Sequence, residues 1–257
     1  MATKFADTTA LFEYHAGTVT GRAEARELLA PKADVASSDH VEREWKRILF
    51  TSTRDLLKAV ETQPDLSSAL RMMGSGYGRA ASQRLLALAL VCRASTALDV
   101  QDIKIRSLQM LRGDARRLYH QTVGDSRSMS QCGLARQEPS QGADGEWQMK
   151  ITCQRREGIC DHEARIGNDL ARWRAGAEAL AASGNAALRK MGQLAGKMAD
   201  DPALRTGKNT YGKTGDLAIA LDCGTDELLV TTDQSFSVMA LAMGFQVHLI
   251  GSPAAAQ

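Results

Sequence analysis

Acidic residues stand at the points of this 257-residue chain where strands should end or helices begin. Asp233 follows the apolar and β-branched residues 228–231 in the stretch LLVTTDQSF, a pattern that predicts a short buried strand. Asp7 follows a strand candidate at residues 4–6, and Asp216 opens the helical stretch GDLAIAL. In open α/β sheets ligands bind at the carboxyl ends of strands, so these acids are candidates for a site. Each of the three could instead cap a helix.

A fourth acid lies on a predicted helix that starts at Ser38 or Asp39, in the stretch SDHVEREWKRI. Glu42 and Glu44 compete for this role, because they are two positions apart and point to different faces of the helix. Glu44 is favoured, since it follows the core-facing Val41 by three residues.

Carboxylates placed side by side repel one another unless a cation lies between them. Mg²⁺ and similar hard cations prefer oxygen ligands, commonly one or two carboxylates with waters. Two such cations about 4 Å apart can activate a water and stabilise the leaving oxygen in phosphodiester hydrolysis. The predicted ligands of Mg²⁺ or Mn²⁺ are Asp7, Glu44, Asp216 and Asp233. The hydroxyls of Thr8, Ser38 and Thr231 are predicted to support them.

The pattern of elements predicts an α/β fold with a central, mostly parallel sheet flanked by helices and interrupted by a largely α-helical insertion. Strand and helix signals alternate in both ends of the chain, whereas the middle is mainly helical. We therefore expect a discontinuous core from residues 1–51 and 206–257 and an insertion from residues 52–205. The insertion contains a Ser-, Gln- and Gly-rich, Cys-containing loop at about 126–165, with one strand-like run, WQMKITC.

The two ends together resemble the PIN-domain nucleases. The resemblance rests on FADTTALFEYHAG, DVASSDHVEREWKRI, TGDLAIAL, LLVTTDQSF and GFQVHLI, in the order in which the family has them. It covers about 90 residues in two blocks. It implies a PIN-like fold, a metal-dependent nuclease activity, and metal-ligand and catalytic roles for the four acids.

The chain departs from the family pattern at two places. Thr9 stands where the family has Asn, and Gln234 and Ser235 follow Asp233 where the family has a second aspartate. The leading hypothesis is a metal-dependent endoribonuclease whose insertion binds or selects the nucleic acid, RNA rather than DNA. The replaced aspartate favours an alternative, a non-catalytic RNA-binding or assembly protein. A toxin held by an inhibitory partner protein is a further alternative, and a homo-oligomer remains open.

The Cys-containing loop poses a separate question. Its spacing C-x20-C-x6-C-x-H offers four ligands of the kind that zinc takes: Cys132, Cys153, Cys160 and His162. Ordinary reduced cysteines are the alternative, because the spacing lacks a paired C-x2-C. Cys92 and Cys223 are predicted to be core residues.

Charge is divided unevenly along the chain, with a net of +6 in residues 52–205 and −4 in the two flanks. A basic middle would attract a phosphate backbone. The candidate nucleic-acid contacts are Arg112, Arg116, Arg117, Arg155 and Arg156. Trp147 and Trp173 are candidates for stacking on bases. A solvated basic helix face and ordinary packing are the alternatives.

The remaining composition, 44% hydrophobic and 24% charged, is ordinary for a globular protein. No apolar run reaches the roughly 18 residues of a membrane span, so no membrane partner is expected. The stretch MATKFADTT is not a secretory signal, and five cysteines are an odd number, so we expect a cytoplasmic location.

Overall fold

A parallel sheet with helices packed against it forms the frame of the molecule. The structure is a computed structural model that describes residues 3–75, 79–94, 99–127, 137–149, 162–206 and 210–251. The sheet has five strands in the order β3-β2-β1-β6-β7, and every neighbouring pair is parallel. The strands are β1 (Lys4–Ala6), β2 (Val35–Ser38), β3 (Asp125–Arg127), β6 (Leu228–Thr231) and β7 (Gln246–Leu249). Because all five run the same way, their carboxyl ends share one edge of the sheet.

Helices connect these strands. Before β3 come α1 (Thr8–Ala16), α2 (Val19–Leu28), α3 (Asp39–Thr62), α4 (Leu66–Gly74), α5 (Arg79–Ala94), α6 (Val100–Gln109) and α7 (Ala115–Thr122). After β3 come α8 (His162–Asn168), α9 (Leu170–Ala181), α10 (Ala186–Asp200), α11 (Thr210–Ala220) and α12 (Gln234–Ala242). Short 3-10 turns occupy Lys32–Asp34 and Pro202–Thr206, and a π turn, Met110–Asp114, joins α6 to α7. A separate antiparallel pair consists of β4 (Ser140–Gln141) and β5 (Trp147–Gln148).

The central strands are held by apolar contacts on both faces. Phe5 of β1 lies in register with Leu229 of β6, and both side chains are fully buried. Helix α3 packs against the same core through Val41, Trp45 and Leu49. These residues are four positions apart and therefore lie on one face of the helix. The Trp45 ring lies 4.5 Å from that of Phe12, and its Nε1 donates to the Ala115 carbonyl at 2.7 Å. The helix that carries Glu44 is thereby fixed to α1 and α7.

The structure confirms the α/β class and the parallel sheet flanked by helices. It also shows that the sheet takes one strand, β3, from within residues 52–205, and that α3 runs through the predicted boundary at residue 51. The sequence Asp-Ser-Arg of β3 contains no apolar residue, so no hydrophobic pattern indicates a strand there. Of the predicted strand WQMKITC, Trp147–Gln148 is a strand, and residues 150–153 lie outside the described part. Among the described helices, none combines the length and the hydropathy that a membrane span needs.

Candidate functional site

A pocket lies where β1 and β6 end. The pocket contains about 250 Å³ of space between the protein atoms, a figure that includes a part open to solvent. The residues that line it are Asp7, Thr8, Thr9, Glu44, Asp216, Ile219, Asp233 and Phe236. All four of the acids singled out in the sequence therefore meet at one place, although they come from β1, α3, α11 and the β6-α12 junction.

Asp7 is the most buried of these acids, with 5% of its surface exposed. Its Oδ1 accepts a hydrogen bond from the Ala10 amide at 2.7 Å, so Asp7 caps α1 as well as facing the pocket. Its Oδ2 accepts from the Thr231 hydroxyl at 2.8 Å. Burial raises the pKa of Asp7 to about 7; the hydrogen bonds from Ala10, Thr231 and Thr9 oppose this rise, and the Glu44 carboxylate adds to it.

Thr9 is the residue that the sequence analysis missed. Its Oγ1 lies 2.9 Å from Asp7 Oδ1 and 3.0 Å from Oδ2, and it accepts from the Thr232 amide at 2.9 Å. Thr9 thus ties the start of α1 to the end of β6 and holds the Asp7 carboxylate between two hydroxyls. Its position in the sequence could have pointed to this role, since Thr9 stands where the PIN-domain pattern has Asn.

Asp233 begins α12. Its Oδ1 accepts from the amides of Ser235 and Phe236 at 2.8 and 3.1 Å, and its own amide donates to Thr231 Oγ1 at 3.0 Å. The expected cap and the pocket acid are therefore the same residue. Because one carboxylate oxygen carries both cap bonds, Oδ2 takes no part in the cap. Thr231 connects Asp233 to Asp7, as its predicted supporting role requires.

Glu44 faces the pocket from α3, and Glu42 does not line it. The Thr8 hydroxyl donates to Glu44 Oε2 at 2.8 Å, and Arg47 lies 3.7 Å from Oε1. Glu42 instead pairs with Lys46 at 3.4 Å and lies 3.9 Å from His120. Of the two glutamates, Glu44 is the one that can act together with Asp7.

Asp216 reaches the pocket from α11, one turn before Ile219. The helix deviates from helical geometry at Thr214, a fully buried residue (φ −132°, ψ 21°), so the segment that carries Asp216 starts after a kink. Ile219 and Phe236 form an apolar wall beside the acids. Ser38, predicted to support the site, caps α3 through the Val41 amide and does not line the pocket.

Several other predicted residues lie elsewhere. Cys132, Cys153, Cys160, Arg155 and Arg156 fall outside the described residues, as does the side chain of His162, whose backbone begins α8. The predicted arginines of the π turn and α7, Arg112, Arg116 and Arg117, are all exposed. Arg117 pairs with Asp114 at 3.2 Å, and Arg116 lines a second pocket together with Lys46 and Glu138.

Trp173 cannot stack on a base, and the structure bears out the alternative of ordinary packing. Its side chain is fully buried, and its Nε1 donates to the Ala195 carbonyl at 2.9 Å between α9 and α10. A large aromatic side chain buries much apolar surface between two helices whose neighbouring residues are mostly small. Of the predicted core cysteines, Cys223 is buried and Cys92 is half-buried.

The donor set of the pocket suits a hard divalent cation, because it consists of carboxylate and hydroxyl oxygens. Within the described residues no three His, Cys, Asp or Glu side chains are grouped tightly enough to hold one ion by themselves. A closed cage of protein ligands, as zinc or calcium requires, is therefore not formed by these residues. Mg²⁺ and Mn²⁺ need no such cage, since one or two carboxylates with waters and substrate oxygens suffice. Asp7 with Asp233 fits this second arrangement.

The fold and the pocket together define an α/β protein with an acidic site at the carboxyl edge of a parallel sheet. Comparison of the chain with protein-family models, with curated proteins and with solved structures found no match in any of the three.

Proposed function

We propose that this chain is a PIN-like, metal-dependent endoribonuclease whose acidic pocket hydrolyses phosphodiester bonds. The observation that carries the proposal is that Asp7, Glu44, Asp216 and Asp233, separated by up to 226 positions, line one pocket. The parallel sheet supports it too, because such sheets bind ligands at the edge where this pocket lies.

Divalent ions held by these acids would supply a nucleophilic water and a sink for the negative charge of the leaving oxygen. Asp7 and Asp233, at the ends of adjacent strands, would be the central ligands. Glu44 would face them from α3, and Asp216 would complete the set from α11.

The chain's own contribution is to orient these carboxylates before a substrate arrives. Thr9 and Thr231 fix both oxygens of Asp7, and Thr8 fixes one oxygen of Glu44. Hydrogen bonds of this kind keep ligand oxygens aimed at the ion and are commonly as important as the ligand. Ile219 and Phe236 line the pocket beside the acids, and their apolar side chains would strengthen electrostatic interactions there by lowering the local polarity.

One observation favours a second candidate function, a nucleic-acid-binding protein without catalysis. Gln234 stands directly after Asp233 where the resembled family has a further acid nearby, and its amide cannot replace a charged ligand. A chain of this second kind would bind RNA equally well with and without Mn²⁺. A Mn²⁺ titration followed by calorimetry separates the two candidates.

The proposed activity is tested with purified chain, single-stranded RNA and Mg²⁺ or Mn²⁺. We expect cleavage that EDTA abolishes. Asp7→Asn and Asp233→Asn should each reduce the rate at least about 100-fold, the scale on which loss of a group that stabilises transition-state charge acts.

The matched control is the pair Glu44→Gln and Glu42→Gln, two positions apart on one helix. Only the first removes a pocket carboxylate, so only it should lower the cleavage rate. Cleavage that survives Asp7→Asn and Asp233→Asn combined would contradict the proposal.

A further inference from the structure

Three arginines gather at the end of α1 that lies away from the acidic pocket. Arg22 and Arg26 are one turn apart on α2, and Arg93 is in the last turn of α5. Both helices pack against α1. We call Arg22, Arg26 and Arg93 the arginine cluster.

Two contacts fix the cluster to α1. The Arg93 guanidinium donates to the His15 carbonyl at 2.5 Å, and the Arg26 guanidinium lies 5.6 Å from the centre of the Tyr14 ring. The rings of Tyr14 and His15 meet edge to face at 4.9 Å. Arg26 and Arg93 are therefore held over neighbouring residues of one helix turn, with Arg22 one turn from Arg26 on α2.

The charges of the cluster have no acidic partner within the part of the chain that the structure describes. Across the described ranges, no carboxylate forms an ion pair with any of the three guanidiniums. Two nearby acids are engaged elsewhere, since Glu13 accepts from Thr18 and Glu24 from His248. Partial burial lowers the pKa of Arg93, and the charges of Arg22 and Arg26 lower it further.

Other arginines of the chain are treated differently. Arg54 pairs with Asp55, Arg174 with Asp200 and Arg117 with Asp114. Grouping like charges on two packed helices without a counter-charge costs stability, and an anionic ligand would recover it. Guanidiniums bind phosphate oxygens in a planar, two-pronged geometry and suit a phosphodiester backbone.

We propose that the arginine cluster binds backbone phosphates of a nucleic-acid strand at a distance from the acidic pocket. This inference rests on the proposed function, because it assigns the ligand class from the chemistry of that pocket. Tyr14, which lies under Arg26, is six positions after Thr8 of the pocket, a rise of roughly 9 Å along α1. A bound strand covers that distance within a few nucleotides. Phosphates a few nucleotides from the reacting bond are the expected occupants.

The test measures binding of a 20-nucleotide single-stranded RNA in EDTA, so that neither metal nor cleavage enters. Arg22→Gln, Arg26→Gln and Arg93→Gln are combined in one variant. The matched control combines Arg54→Gln, Arg174→Gln and Arg189→Gln, which removes the same charge from exposed arginines elsewhere.

We expect the cluster variant to bind the RNA about 10-fold more weakly at low salt. The slope of log affinity against log salt should fall by about 2, since each phosphate contact to a single strand contributes about 0.7. The control should change the slope by less than half of that. Equal effects of the two variants, or no effect of either, would overturn the proposal.

A second variant guards against loss of the fold. Arg22→Gln with Arg26→Gln leaves the Arg93 contact to the His15 carbonyl intact and should lower the slope by about 1.4. A further arm replaces RNA with polyglutamate. If the cluster variant weakened polyglutamate binding and left RNA binding unchanged, the cluster would serve an acidic protein and the proposal would be wrong.

The outcomes separate the two proposals. RNA binding that depends on the cluster, in a chain that never cleaves, would refute the nuclease and keep the cluster. Cleavage by a chain whose RNA binding does not depend on the cluster would keep the nuclease and refute the cluster proposal.

Discussion

Two buried aspartates of this molecule, Asp7 and Asp222, are stabilised in opposite ways. Asp7 accepts hydrogen bonds from neutral groups, the Ala10 amide and the hydroxyls of Thr9 and Thr231. Asp222, 2% exposed, contacts the Arg165 guanidinium through Oδ1 and lies 2.9 Å from His40 Nδ1 through Oδ2. Among the residues that the structure describes, Asp222 has a positively charged partner and Asp7 has none.

The difference indicates what each acid is for. Arg165 also donates to the Ala218 carbonyl at 3.2 Å, so the Asp222 network fixes the end of α11 and completes its own charge balance. Asp7 is surrounded by oriented dipoles and by a second carboxylate, which is a costly arrangement for an anion and a favourable one for an added cation. Burial without a counter-charge among the described residues, together with a second acid nearby, is what supports the proposed metal site at Asp7.

The largest expected effect contrasts the two acids in stability. Asp222→Asn leaves Arg165 without its buried partner and should lower the free energy of unfolding by about 3–5 kcal/mol. Asp7→Asn should not destabilise the metal-free chain at pH 8, because it removes an uncompensated charge. Urea denaturation of both variants in EDTA measures this. A large loss of stability in Asp7→Asn would contradict the difference proposed between Asp7 and Asp222.

Next in size is the loss of the hydroxyl that holds Asp7. Thr9→Val keeps the shape of the side chain and removes its hydrogen bonds to Asp7 and from Thr232. Groups that orient metal ligands are worth about 10–100-fold in metal affinity, and we expect a loss in that range by Mn²⁺ calorimetry. Thr62→Val is the control, since the Thr62 hydroxyl bonds only the Lys58 carbonyl within its own helix. An unchanged Mn²⁺ affinity in Thr9→Val would show that Thr9 does not support the proposed metal site.

The smallest effect is a dependence on pH. With the pKa of Asp7 near 7, a proton competes with the metal, so Mn²⁺ affinity should fall about 10-fold per pH unit below 7. The pKa of the folded chain lies above the unfolded value of 3.8, so the metal-free fold binds the extra proton. Its stability should therefore decline as pH rises from about 4 to 7, and Asp7→Asn should remove that part of the decline. Thermal melts at several pH values in EDTA, with the variant alongside, test both signs.

The sequence predicted the acids because Asp7, Asp216 and Asp233 sit at strand and helix boundaries, where periodicity changes abruptly. The same boundaries predicted the parallel sheet. Glu44 could be chosen over Glu42 because its distance from Val41 fixed its position on α3. For these residues the local sequence pattern is enough to predict where the side chain lies in the fold.

Other features of the fold have no local pattern in the sequence that could predict them. Strand β3 is polar, so its pairing with β2 is visible only in three dimensions. The partners of Asp222 are Arg165 and His40, far away in the chain, and no spacing rule relates them. The sequence around Trp173 does not distinguish a tryptophan that stacks on a base from one that packs in the core. Its burial against α10 shows that it packs in the core.

The most direct test of the central claim is a crystal of the chain soaked in Mn²⁺ and measured by anomalous scattering. The account predicts a peak within about 2.3 Å of Asp7 and Asp233 oxygens, given the usual length of bonds from such cations to carboxylates. Loss of the peak in Asp7→Asn crystals would strengthen the assignment. A pocket without any peak at saturating Mn²⁺, in crystals that bind Mn²⁺ elsewhere, would contradict it.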